Sequence, residues 1–372
     1  MQAPVASIVI PTRGRPAYLE VALGSIAEQA RDAGAEIVVV DDAGESAATR
    51  AIVERQGARY EPHDRPRGLN AARNTGVARS TGELVIFLDD DVRAEAGWLE
   101  ALLRATREHP DAEVFAGRIR ARLEGRAPRG CGRENAPVTT LDLGPQDTDT
   151  RFAWGANMAL RRSALQRVGP FDPSLAGGGD EQEWQERLRS LQPRARTPYI
   201  AAAAVEHRRC GRDARLRSLA AGARTRGLAA RRFDARRGAP PPLRAELGTL
   251  ARCAAHVVRR RCPAGLTMVA HSLGRVEQAL SERPGRRGRR WQGGEPDASR
   301  NGSAGDDFLS GASGTVGGID AARRRVLDLA LDATEVADGG RRRLARAALQ
   351  SPPRRRVLVL SVVRPEHAHL AS

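Results

Sequence analysis

Lysine is absent from the 372 residues: all 61 basic side chains are arginine, set against 45 acidic ones. An arginine-only chain rich in Ala and Gly reflects coding bias as well as chemistry. The formal net charge of +16 is therefore weak evidence for a nucleic-acid or membrane partner. Aromatic residues are scarce at 3%. That argues against base-stacking surfaces and leaves the core to Leu, Val, Ile and Ala. The four cysteines, Cys131, Cys210, Cys253 and Cys262, form no CxxC pair and show no zinc-type spacing, so they read as ordinary reduced thiols. No run approaches the ~20 apolar residues of a membrane-spanning helix. The first residues lack the basic and apolar regions of a signal peptide. The expectation is a cytoplasmic protein, with peripheral attachment at the inner face of a membrane left open.

The charge is unevenly placed. Residues 1–200 hold 27 arginines against 29 acids, whereas 201–372 hold 34 against 16. The near-neutral half alternates strand and helix patterns. Strands are expected at 7–11 (SIVIP), 36–40 (EIVVV), 83–88 (ELVIFL), 113–119, 152–160 and 199–205. Helices are expected at 15–30, 46–56 with Ser46 as cap, 68–80, 94–108 and 180–191. This alternation predicts an α/β domain with a mostly parallel sheet flanked by helices. Each strong strand ends in polar or acidic residues, and ligands of open α/β sheets bind at the strands' C-terminal ends. Pro11-Thr12-Arg13, Asp41-Asp42 and Asp89-Asp90-Asp91 should therefore converge on one edge.

Three carboxylates in a row after a buried strand repel one another unless a cation sits among them. Hard divalent ions take such oxygens together with substrate phosphates. The readings open here are a metal–diphosphate site and a solvated acidic loop. Asp41 and Asp42 are placed to accept hydrogen bonds from a base or ribose. Asn70, Arg73 and Asn74 share one short helix, with Asn70 and Asn74 on one face, as neutralising groups for a phosphate. Asp180 and Glu181 open a helix after a glycine turn, where the dipole favours ionised carboxylates suited to general-base work. His207 closes the last strand as a metal ligand, a phosphate contact or a structural histidine.

In order, SIVIPTRGR, IVVVDDAG, GLNAARNTGVARSTGELVIFLDDDV, WGANMALRRSAL, VGPFDPSLAGGGDEQEWQERL and VEH resemble the family 2 glycosyltransferases of the GT-A fold. The resemblance spans roughly residues 5–230. It implies a Rossmann-like GT-A domain that inverts the sugar's anomeric centre and uses a nucleotide-diphosphate sugar (UDP-, GDP- or dTDP-linked) with Mg²⁺ or Mn²⁺. It implies that Pro11, Thr12 and Arg13 line the nucleotide pocket, that Asp41 and Asp42 hold base and ribose, and that Asn70, Arg73, Asp89 and Asp90 serve the nucleotide or diphosphate. Asp91, Asp89 and His207 become the metal ligands, with Asp91 foremost. Trp154, Gly155, Asn157 and Trp184 fall to the sugar and acceptor side. The family's base motif reads Glu-Asp where this chain reads Asp180-Glu181. By position the base is Glu181, and Asp180 stays its rival. The acceptor is a hydroxyl of a glycan, a cell-surface polysaccharide or a lipid-linked substrate. Two other classes stay on the page: a basic nucleic-acid-binding protein, disfavoured because no recognition motif appears, and a sugar nucleotidylyltransferase, whose Gly-rich phosphate loop is missing.

The expected organisation is a catalytic domain at 1–215 and a basic helical extension at 216–283. A flexible linker at 284–320 and a helix plus strand at 321–372 follow, the last resembling the truncated start of a second α/β domain. Leu247, Leu250, Ala254, Val257 and Val258 recur at helical spacing among the extension's arginines. They read either as packed helices or as an arginine face toward anionic lipid.

Overall fold

The computed structural model describes residues 4–125, 127–175 and 178–282. The expected linker and the expected helix and strand beyond it lie outside the described residues. Strand β1 (Ala6–Thr12) is buried along its whole length, which an unbroken β-branched run requires inside a parallel sheet. Helix α1 (Pro16–Ala33) has proline in its first turn and stops at Gly34 in a left-handed conformation, the favoured start and stop. Then come β2 (Glu36–Asp41), α2 (Ala47–Arg55), β3 (Arg59–Pro62), α3 (Leu69–Ala78) and β4 (Leu84–Leu88). Ser46 caps α2 by accepting the Thr49 N–H at 3.3 Å. Strands β3, β2, β1 and β4 lie side by side and parallel.

Beyond β4 the chain builds β5 (Val92–Ala94), α4 (Trp98–Glu108), β6 (Val114–Leu123), β7 (Thr148–Asp149), β8 (Asn157–Arg161), α5 (Arg162–Val168), α6 (Asp180–Leu191) and β9 (Pro198–Arg209). β8 runs antiparallel between β4 and β6, and β9 returns parallel to β6. The sheet order is β3-β2-β1-β4-β8-β6-β9-β5, with β7 on β9. The α/β class is as expected, with several shifted boundaries. The strand expected at 152–160 begins only at Asn157, because the Asn157 N–H closes a turn onto the Trp154 carbonyl at 2.9 Å. The helix expected from Ala94 starts at Trp98, because Val92–Ala94 pair with β9. β3 escaped sequence reasoning because its four residues, one exposed and three half-buried, carry no apolar run. β9 continues past Val205 and carries His207 within the sheet.

Asn157 corrects an expectation. It was placed on the sugar side, yet it is fully buried. Its Oδ1 accepts from Trp98 Nε1 at 2.9 Å, and its Nδ2 donates to the Ala203 carbonyl at 2.8 Å and the Arg118 carbonyl at 3.1 Å. One amide thus ties β8 to α4, β6 and β9.

The extension folds as α7 (Leu216–Arg236), α8 (Leu243–Arg260) and α9 (Leu266–Ser281). α7 and α9 approach so closely that a Cβ on Gly227 or Gly274 would overlap the partner helix's backbone. Many of its charges are internal: Arg275 pairs with Glu246 and Asp234 at 2.7 Å, and Arg231 with Glu282 at 3.0 Å. α7 also packs on the first half of the chain. Phe233 meets Phe152 edge-on at 6.4 Å, and Leu219 packs with Ala121 and Val138. The apolar residues of α8 are largely outside: Leu247 is 47% and Val258 76% exposed. No described helix is long and apolar enough to cross a membrane.

Replacing Asn157 with Ala orphans an indole N–H and two carbonyls. The expected loss is about 2–4 kcal/mol of stability, read as a lower urea midpoint at unchanged m-value. An unchanged midpoint would contradict the bridging role.

Candidate active site

The expected convergence at the sheet edge is present. Thr12 pairs in register with Asp41, the Asp42 N–H donates to the Thr12 carbonyl at 2.9 Å, and Thr12 Oγ1 donates to Asp90 Oδ2 at 2.7 Å. Pro11 is buried within β1 and Arg13 is exposed. Two arginines that sequence reasoning did not select hold the acidic run. Arg15 Nη2 reaches Asp90, and Asp91 Oδ2 accepts from Arg15 Nη1 at 2.7 Å and Arg209 Nη1 at 2.6 Å. Their sequence signal was only proximity, to Thr12 and to His207. Burial pushes the Asp90 carboxyl up to about 7 despite the pull of Arg15. Burial also opposes ionisation of Asp91, but His207 when its ring is charged, together with Arg209 and Arg15, holds it below the usual carboxylate range. Asp89 is pushed up by burial and by Asp91.

His207 shows what this cluster needs. Its Nδ1 lies 2.9 Å from the Thr139 carbonyl, which can only accept, so Nδ1 is assigned the proton. The neutral ring then points the Nε2 lone pair at Asp91 Oδ1, 3.1 Å away. That oxygen is buried without a hydrogen-bond donor. Two lone pairs so close require a second ring proton or a shared cation. Asp89, Asp91 and His207 each offer one ligand atom within 4.8 Å of the others. This donor set fits a divalent ion, and the carbonyl on the far nitrogen is the usual outer support of a ligating histidine.

Next to these acids stands a second cluster centred on Arg73, which is 1% exposed. Its Nη1 binds Asp180, and its Nη2 binds Glu181 Oε1 at 2.8 Å. Its guanidinium lies 5.9 and 5.7 Å from the Phe87 and Phe171 ring centres. Arg73 was expected at the diphosphate; both its terminal nitrogens are instead committed to the two carboxylates of α6. Gly155 donates its N–H to Glu181 Oε1 at 3.1 Å, and a Cβ there would overlap Arg73 and crowd Glu181. Gly179, at φ 83°, starts α6, and Phe233 of α7 packs against it so tightly that a Cβ would sit 3.2 Å from the Phe233 Cβ. Burial and the neighbouring Glu181 push Asp180 up to about 8. Burial opposes ionisation of Glu181 too, but Arg73 holds it below its ordinary range. Glu181 is also the more open of the two, with 12% side-chain exposure against 3%.

Several expected contact residues serve the scaffold. Asn70 donates to the Asp172 and Leu175 carbonyls at 2.8 and 3.1 Å. One turn on, Asn74 exchanges two hydrogen bonds with the Phe171 backbone. Together they clasp the loop before α6 rather than offering amides to a phosphate. Trp184 is buried, stacked on Phe171 at 5.7 Å, and donates to the Gly169 carbonyl at 2.8 Å. It is core, not acceptor surface. Asp41 accepts from the Ala43 N–H and from Tyr60. Asp42 accepts from the N–H groups of Arg67 and Gly68 and faces His63 Nδ1 at 2.9 Å. Burial opposes its ionisation, but these donors hold it below the usual range. Both carboxylates, expected on base and ribose, are engaged internally. Trp154 stays half-buried beside Phe152.

Residues 7–169 match the family model for glycosyl transferase family 2. This stretch is similar to that family over β1 through α5. The matched stretch includes Asp89, Asp91 and Arg73, whereas Asp180, Glu181 and His207 follow it. The chain is similar to the pre-mycofactocin glycosyltransferase of Mycobacterium tuberculosis, 33% identical over 56% of this chain and 44% of that protein. It is also similar to the glycosyltransferase AglE of Haloferax volcanii, 26% identical over 50% of this chain and 61% of that one. The chain thus spans about half the length of these relatives. Among solved structures, a mannosyltransferase of Pyrobaculum calidifontis in complex with GDP-Man and Mn²⁺ shares the GT-A fold. It superposes with a TM-score of 0.52 at 19% identity, over 76% of this chain and 89% of that one.

Replacing Arg73 with Met leaves Asp180 and Glu181 buried without a cation, at a cost of about 3–5 kcal/mol near neutral pH. Asp180 is already pushed up in the intact site, so the change falls on Glu181: without Arg73 its burial is unopposed, and its folded pKa rises above its unfolded value. Stability is lost as pH rises through that folded pKa, and urea titrations of the variant should show a smaller deficit at about pH 5 than at about pH 8. An equal deficit at both would contradict the cation role.

Proposed function

We propose that the family 2 domain transfers a sugar from a nucleotide-diphosphate sugar to a hydroxyl acceptor, with Glu181 as general base and Asp89, Asp91 and His207 holding a divalent cation. The observation that carries this is the adjacency of the two clusters: Asp89 feels both the pull of Arg73 and the push of Glu181. Leu88, next to Asp89, pairs with Asn157, two residues from the Gly155 N–H that holds Glu181, so the proposed cation site and base lie close together. Bound there, Mg²⁺ or Mn²⁺ would neutralise the charge that develops on the leaving diphosphate. The imidazole nitrogen in the donor set favours Mn²⁺, since Mg²⁺ prefers oxygen ligands.

The residues divide the remaining work. Glu181, held ionised by Arg73 and more exposed than Asp180, takes the proton of the acceptor hydroxyl as that oxygen attacks the anomeric carbon. A single displacement from the face opposite the diphosphate inverts that centre. Asp180, pushed up to about 8 by burial and by Glu181, already holds its proton near neutral pH and is not free to accept another. Arg15 and Arg209 take the diphosphate-side role expected of Arg73, because both stand beside Asp91 and retain partial exposure. Gly155 sets the height of the Glu181 carboxylate, and Trp154 lines the sugar side. The relatives named as glycosyltransferases support this reading. The proposal extends to an acceptor presented at an anionic membrane surface, because α8 exposes Leu247 and Val258 among arginines.

A thermal-shift panel of UDP-, GDP- and dTDP-sugars tests the donor site. One donor should raise the melting temperature only with Mn²⁺, and Asp91→Ala should abolish the shift. Glu181→Gln should keep the shift while lowering turnover about 10²–10⁴-fold. If Glu181→Gln turns over normally and Asp180→Asn is inactive, the base is Asp180. For the membrane contact, flotation with anionic vesicles at low salt should retain the chain, and charge-reversal of the α8 arginines should release it. No retention removes that part of the proposal.

A further inference from the structure

We infer that Cys131, Glu134, His256 and Cys262 form a zinc site that staples the long loop after β6 to the helical extension. The four residues come from two stretches more than a hundred positions apart, which is why the spacing of the cysteines showed nothing. In the fold, each offers one ligand atom, and all four atoms lie within 4.8 Å of one another. Cys131 Sγ is 3.3 Å from His256 Nε2 and 3.4 Å from Glu134 Oε2, and Cys262 Sγ is 3.5 Å from the same carboxylate oxygen. A tetrahedral zinc with bonds of about 2.0–2.3 Å places its ligand atoms roughly 3.3–3.8 Å apart. Three of the six separations, at 3.3, 3.4 and 3.5 Å, match such edges.

The surroundings also fit. The backbone N–H groups of Cys131 and Arg133 donate to Glu134 Oε2 at 3.0 and 3.1 Å, fixing the carboxylate as outer-shell donors fix a ligand. Gly265 stands so close that a Cβ would lie 3.1 Å from His256 Cδ2 and 3.6 Å from Cys262 Sγ. The two stretches meet beside the cluster, where the Ala264 N–H donates to the Arg129 carbonyl at 3.0 Å. All four cysteines are free thiols. Two weak thiol donors on one carboxylate oxygen, with the imidazole against one of the thiols, gain little as hydrogen bonds, but the four groups make a complete Cys₂-His-Glu donor set for Zn²⁺. On binding, the two thiols release their protons to solvent and the thiolates bond the metal. The resulting charge of −1 is offset by sequence neighbours such as Arg133 and Arg261. With four protein ligands the site is closed and structural. It anchors the loop whose Thr139 carbonyl orients His207.

The full chain, reduced and stripped of metal, is titrated with Co²⁺ alone. The expected result is one equivalent giving a thiolate-to-cobalt charge-transfer band, displaced by one equivalent of Zn²⁺. Cys131 is exposed, so Cys131→Ser should fold and lose the band with at least a tenfold weaker affinity. Asp91→Ala should keep it, which separates this site from the cluster at β4. Cobalt binding without the band, a band that survives both Cys131→Ser and Cys262→Ser, or a Cys131–Cys262 disulfide in the purified chain would overturn the assignment.

Discussion

A single buried guanidinium organises this edge of the sheet. Arg73 enters from α3, lies against the Phe87 and Phe171 rings, and ends on the first two carboxylates of α6. Burying a charge is costly, and the cost is met only when every charged neighbour is paired with good geometry. Here that pairing draws together α3, the end of β4, the loop before α6 and the turn at Gly155. Asn70 and Asn74 hold the loop, and Gln185 holds the turn by exchanging two hydrogen bonds with Ala153. Of the two carboxylates on Arg73, the more exposed is therefore also the one whose ionised form the scaffold favours.

The acidic run after β4 follows a complementary logic. Its three members are not equivalent. Asp90 is turned into Thr12 and Arg15, and Asp91 is crowded by two arginines and a histidine. Asp89 has no side-chain hydrogen bond or ion pair among the described residues. The chain supplies cations around the acids without filling the space between Asp89, Asp91 and His207. Such a cluster tolerates an added positive ion better than its absence.

Much of this was legible in the sequence, for identifiable reasons. Unbroken β-branched runs ending in acids gave the parallel strands and their common edge, because topology alone brings their C-termini together. The helix-start position of Asp180-Glu181 followed from the glycine turn. What could not be read was which groups pair. Asn70 and Asn74 do share a face, but the partner of that face is a loop a hundred residues away. Asn157 and Trp184 belong to motifs associated with substrate, yet each is buried and hydrogen-bonded within the scaffold. The swapped Asp-Glu order became interpretable only once Arg73 was seen to favour the charge on Glu181. Arg15 and Arg209 were lost among 61 arginines, where composition hides the few with a post.

The packing of Phe233 on Gly179 has a consequence for how the chain acquires its site during synthesis. The acids after β4 are made early, the base turn about ninety residues later, His207 later again, and the aromatic wedge behind the base turn last. No N-terminal piece ending before α7 holds all four. A ribosome-bound chain can therefore form the parallel half of the sheet while still incapable of chemistry. The turn that carries Asp180 and Glu181 gains its Phe233 contact only once the first helix of the extension has been made.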